Sequence, residues 1–205
     1  MEISGFGKLS SGEYGDLRIS GCGSLDGDIS CNSLFVSGSI KGDKINCNQS
    51  LYVSGCGKIG MIKADKIKVS GCLKCKEAEC GEAEIFGVVK SQKNIQADKL
   101  TVQGVLACDG IVNAKEIDII FKQGMKIEGI RCSKIRAQRK KCLSFKSKLN
   151  VKFLEADKIE IEDVRASCVS GKSVTIGKGC KIGLVQYTDS FDASPKAKIG
   201  KVEKI

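Results

Sequence analysis

The sequence predicts an all-β protein: a parallel β-helix, or solenoid, of one domain with coils of about 16–17 residues. Three observations carry that prediction. A short phrase recurs at a fixed interval through more than half of the chain. Within each interval, apolar and polar residues alternate. The composition also lacks what a compact globule would use, with no Trp, no His, one Pro and 5% aromatic residues against 24 Gly. A core of small β-branched residues suits thin, regular β layers. At 41% hydrophobic residues, with charges of both signs, the chain is not expected to be disordered.

The phrase is an aliphatic residue followed by Ser-Gly. It begins at Ile3, Ile19, Val36, Val53 and Val69, at spacings of 16 or 17, and continues without the Ser at Ile85, Val102 and Ile119. Two residues earlier stands another apolar residue: Leu17, Leu34, Leu51, Ile67, Ala83, Leu100, Ile117. The residue between them varies and is mostly polar, which is strand alternation with period two. Further upstream lies a small residue (Cys31, Cys47, Ala64, Cys80, Ala97, Ala114, Cys132), usually with an apolar residue two before it, giving a second short strand. A third, weaker strand follows the Gly, around Leu25, Ile40, Ile59, Leu73, Val89, Leu106 and Ile127.

Such strands are too short for a hairpin sandwich or for βαβ crossovers, and no stretch has helical periodicity. Each unit is therefore expected to make one turn and to stack on the last, with parallel pairing ~4.8 Å apart. Ten to twelve such coils form a rod on the order of 50 Å long. The Gly after Ile/Val is expected at a corner where φ is positive.

Regular coils are expected over 1–136. The register breaks after Ile135, and "LSFKSKLNVKF" follows, with Leu143, Phe145, Leu149, Val151 and Phe153 on one face and Lys146, Lys148 and Lys152 on the other. Period two over eleven residues predicts a longer strand or a hairpin bulging from the rod, a basic insertion over 137–153. The coil grammar returns over 154–186. Residues 187–205 contain the single proline, Pro195, and read as a C-terminal cap or tail.

The net charge of +10 is concentrated. Between Lys122 and Lys158 lie twelve Lys/Arg and three Asp/Glu. Arg136, Arg139, Lys140, Lys141, Lys146, Lys148 and Lys152 form a candidate patch for an anionic membrane surface or a partner protein. The alternative is a solvated face that keeps rods apart. Nucleic acid is the weakest partner, because Phe145 and Phe153 fall on the apolar face and leave no stacking platform among the lysines.

No opening segment has the basic, apolar and small-residue order of a signal peptide, and no apolar run approaches a membrane span. The expected location is the cytoplasm, with association at the inner membrane face left open. Most of the twelve Cys are then thiols.

Cys72-Leu-Lys-Cys75, with Cys80 nearby, has zinc-like spacing, but no second such pair or His completes a ligand set. Cys72 repeats Cys22 and Cys56, and Cys80 repeats Cys31 and Cys47, so the thiols read as repeat positions. "IGKGCKIG" (176–183) is similar to a hexapeptide fragment of left-handed β-helix acyltransferases, whose His base has no counterpart here. Acids such as Asp26, Asp28, Asp43 and Asp65 are scattered at turns, not clustered for lyase or hydrolase chemistry. The expectation is therefore no enzyme, catalytic residue, metal, cofactor or small-molecule substrate.

The stretch "SGEYGDLRISGCGSLDGDI" (11–29), the SG repeats, the basic interruption and the ending "VTIGKGCKIGLVQYTDSFDASPKAKIGKVEKI" (174–205) resemble the bactofilins, polymer-forming cytoskeletal proteins of bacteria, and most of all their Firmicutes-type members. The likeness spans nearly the whole chain, although Cys replaces the more usual Ser or Ala at many positions. It implies a right-handed parallel β-helix and nucleotide-independent, end-to-end assembly into filaments that serve cell shape, polarity or motility. The implied partner is a second copy, or a paralogue. A solenoid leaves unpaired strand edges at both ends. Ile3 and Phe6 at one end, and Phe191 and Val202 at the other, are the expected self-association contacts. The rival expectation is a monomeric binding module that docks on anionic membrane or a partner protein through the basic insertion.

Overall fold

The computed structural model describes residues 1–140 and 147–205. All of its strand pairs are parallel, and they wind into one β-solenoid of about twelve turns, consistent with a right-handed parallel β-helix. The repeat sets the register. Ile3, Ile19, Val36, Val53, Val69, Ile85, Val102 and Ile119 stand in one inward line, which Ala137, Ile161, Ile176 and Ala193 extend. The small-residue line from Cys31 to Cys132 likewise aligns coil upon coil. At ~4.8 Å per coil the rod is roughly 50 Å long.

The three short strands expected per coil merge into nearly continuous ones, such as Ser39–Val53 and Cys56–Val69. The Ser-Gly corner interrupts the ladder once per coil in the first coils. There the Val36 carbonyl accepts from both Ser54 N–H (2.8 Å) and Gly55 N–H (3.1 Å), so the corner's donors stay satisfied.

The role expected for the corner glycine is corrected. Positive φ occurs at Gly27 and Gly179, not at Gly38 or Gly55. The corner glycines are needed for close approach. A Cβ on Gly55 would lie 1.9 Å from the carbonyl oxygen of Gly38, one coil below. Gly5 begins the same line with no coil beneath it, and a Cβ there would meet nothing within 4 Å.

The weaker third strand is also corrected: it contributes two inward lines, not one. Gly23, Ile40, Gly57 and Leu73 align in one, and Leu25, Gly42, Ile59 and Cys75 in the other. Each of these four coils places its bulk at one of the two positions and a smaller residue at the other. A Cβ on Gly57 would be 2.9 Å from Leu73 Cδ1, so the vacancy at Gly57 admits the neighbouring coil's leucine.

The insertion is shorter than the alternation suggests. Ala137, Gln138 and Arg139 still pair with Ile119, Ile120 and Phe121. Leu149 and Val151 pair with Met125 and Ile127, inside the core. Phe153, expected on the apolar face, instead sits half-buried at a corner over Gly129, with the Arg131 guanidinium 5.3 Å from its ring centre. Lys141, Leu143, Phe145 and Lys146 lie outside the described residues. Within 187–205 the solenoid pairing continues. Tyr187–Ala193 completes the strand Lys181–Ala193, and the final strand Lys198–Lys204 pairs back onto it. Pro195 sits in the connecting turn, where Ala197 N–H reaches the Ser194 carbonyl at 2.9 Å and proline's missing donor is not needed.

Candidate functional site

The two ends differ. At the first coil, Ile3 is only 9% exposed, because its side chain lies over Gly7. Tyr14 packs half-buried against the core, and its hydroxyl donates to the Ser10 carbonyl at 2.8 Å. Phe6 is 95% exposed, but it points outward on the flank, in line with Cys22, Ser39 and Cys56, and so is not part of the end core. At the last coil, Val202 occupies an inward position directly over Val185. Val185 is fully buried, whereas Val202 is 43% exposed, with no further coil over it among the described residues. Phe191 continues the inward line of Val174 and stacks on Tyr187, ring centres 5.4 Å apart. The outer edge of Lys198–Lys204 is unpaired among the described residues.

The basic segment, read along the chain, carries a large excess of charge. Read across coils, much of it is compensated. Arg139 Nε lies 3.0 Å from Asp163 Oδ2, Lys152 is 2.5 Å from Glu128, and Arg131 is 2.8 Å from Glu155. Arg136 stands in register between Asp118 and Glu160. The Lys148 ammonium donates to the Gly179 carbonyl. Lys140 is exposed, and its backbone N–H donates to the Phe121 carbonyl. Alternation along a strand also divides the Cys72–Cys75 pair: Cys72 is exposed, while Cys75 is buried beside Ser91.

A different charged feature emerges from the register. The second outward position after the corner carries Lys8 in the first coil. Lys41, Lys58, Lys74 and Lys90 then occupy it in four successive coils. After Ala107 the line resumes with Lys126, then Arg165, Lys181 and Lys198. The intervening positions are Ser24, Ala107 and Asn150, with no acid among them. All nine basic side chains are exposed. Lys8 pairs with Asp26, and the other eight make no ion pair with any described residue. Reading the sequence by local density missed this line because it contributes one cation per coil. The signal that finds it is a Lys five residues after the Ile/Val of the phrase, as in Ile3/Lys8, Val36/Lys41 and Val53/Lys58.

At many other outward positions opposite signs meet across coils, although Lys134 stands in register with Lys158. Lys44 meets Asp28 at 2.7 Å and Lys63 meets Glu79 at 2.9 Å. Glu84 takes hydrogen bonds from Lys66 and then Lys68, which hold its carboxyl below the ordinary range. A groove of about 300 Å³ on this flank is lined by these same paired residues, including Asp28, Lys44, Lys63 and Glu79.

Among known proteins, a 60-residue stretch, 29% of this chain, is 35% identical to Uncharacterized protein YhbF of Bacillus subtilis (strain 168). The matched stretch spans about a quarter, 26%, of that protein. No family model matches the chain. No solved structure matches it.

Proposed function

We propose that this chain is a structural scaffold that assembles end to end into nucleotide-independent filaments, as a bactofilin would, and serves cell shape, polarity or motility from the cytoplasm. Val202 carries the reading: an inward aliphatic side chain left 43% exposed, beside an unpaired strand edge. Covering an aliphatic side chain fully stabilises by about 1.5–3 kcal/mol, and an open edge supplies backbone donors and acceptors to whatever covers it. The last coil of one copy stacked on the first coil of the next makes a heterologous contact, which propagates and does not close. A paralogue that presents the same edge fits equally. Docking of a monomer through 137–153 has less support, because Arg139 and Lys152 are neutralised by Asp163 and Glu128.

Electron microscopy and sedimentation of the full chain across concentration and salt test the proposal. Wild type is expected to form filaments or a concentration-dependent series of oligomers. Val202→Asp is expected to shift it to monomer with an unchanged far-ultraviolet spectrum, since the side chain packs under no further coil. A wild-type chain that stays monomeric at every concentration overturns the reading.

A further inference from the structure

We propose that the line of lysines along one face of the rod is a docking surface for an anionic lipid membrane, with the rod lying flat on it. The first support is the contrast between faces. At several positions on the other outward lines, opposite charges are placed on neighbouring coils, as with Lys44–Asp28, Lys63–Glu79 and Lys115–Asp98. On this line the fold instead sets Lys41, Lys58, Lys74 and Lys90 side by side at the coil spacing of ~4.8 Å. Like charges directly opposite each other repel. The repeat could relieve that repulsion with one acid per pair, as it does elsewhere, but does not. An external anionic layer relieves it instead.

The second support is shape. Nine of the twelve positions are basic, and they follow one register line along a rod of roughly 50 Å. A plane of headgroups meets every position at once and requires no matching register. The phosphates of a duplex wind away from a straight line. The neighbouring outward line on the same strands begins Phe6, Cys22, Ser39, Cys56, Cys72 and Val88. These are small or apolar groups, one of them an exposed Phe, which suit a lipid interface. They form no aromatic series on which bases would stack. The surface is independent of the 137–153 segment and of end-to-end assembly.

Co-sedimentation of the full chain with phosphatidylcholine vesicles, with and without phosphatidylglycerol, tests this. Wild type is expected to bind only the anionic vesicles and to release with salt. Each lysine near an anionic membrane contributes enough that Lys58→Gln, Lys74→Gln and Lys90→Gln together lower partitioning about a hundredfold. A control variant, Lys44→Gln, Lys63→Gln and Lys115→Gln, loses the same charge from the other faces and is expected to bind as wild type. Circular dichroism shows that both variants keep the fold. Equal loss in both variants, no vesicle binding by wild type, or tighter binding to duplex DNA or soluble polyphosphate than to anionic vesicles would each overturn the proposal.

Discussion

The corner of Gly55 rests directly on the carbonyl oxygen of Gly38: a Cβ at residue 55 would lie 1.9 Å from that oxygen. The obstacle is backbone held in the ladder on both sides, so it cannot swing aside. Gly55→Ala is expected to destabilise by at least about 2 kcal/mol, read as a lowered urea midpoint. Gly5→Ala places the same change where nothing lies within 4 Å, and is expected to change the midpoint little. Equal effects at the two sites would place the glycine requirement in backbone conformation and not in coil contact.

Gly129 leaves the space that the Phe153 ring fills. A Cβ there would be 2.1 Å from Phe153 Cζ, but a side chain can yield where a carbonyl cannot. Gly129→Ala is therefore expected to cost about 1–2 kcal/mol, and much less when combined with Phe153→Ala. A double-mutant cycle in urea measures the coupling. Additive losses would mean that the two residues do not share the space.

Cys22, Cys56 and Cys72 face solvent, whereas Cys31, Cys47, Cys75, Cys108 and Cys180 are buried. Cys31 and Cys47 share a sulfur contact of 3.5 Å, and that hydrogen bond together with burial pushes the Cys47 thiol up strongly. Iodoacetamide applied to the folded chain, followed by peptide mapping, is expected to label the first three and spare the other five. All eight are expected to react in denaturant. Native labelling of Cys31 or Cys47 would contradict the register.

Burial pushes the thiols of Cys80 and Cys132 up to about 12, and that of Cys108 up to about 11, from an ordinary value of 9.0. The fold favours their neutral form. The stability that this contributes is fully present below about pH 9, and is lost as pH climbs toward 12, because the unfolded chain ionises first. Urea midpoints are expected to fall across that window, and to fall less for Cys80→Ala/Cys132→Ala. An identical slope in the double variant would assign the alkaline loss to other groups.

Much of the fold was legible because a solenoid writes its period into the sequence. A residue that points inward in one coil must be matched 16 or 17 positions later, so Ile19, Val36 and Val53 announced their own stacking. The ends were partly legible: Val202 was identified from position and does stand at the open coil. Phe6 was identified the same way, yet its parity in the strand turns it onto the flank. Phe153 was misread because period two continues through a corner as smoothly as along one face.

The sequence by itself determined the coil, its period and which side chains face inward, since burial of alternate apolar residues is a local pattern repeated. Only the tertiary structure decided which charges are neighbours. Glu155 lies 24 residues from Arg131, yet 2.8 Å away, and Arg139 and Lys152 likewise meet Asp163 and Glu128 of adjacent coils. Lys58 and Lys74, inconspicuous along the chain, stand side by side. Electrostatic energy depends on distance in space, and in a stacked coil the nearest neighbour is one full turn away in sequence.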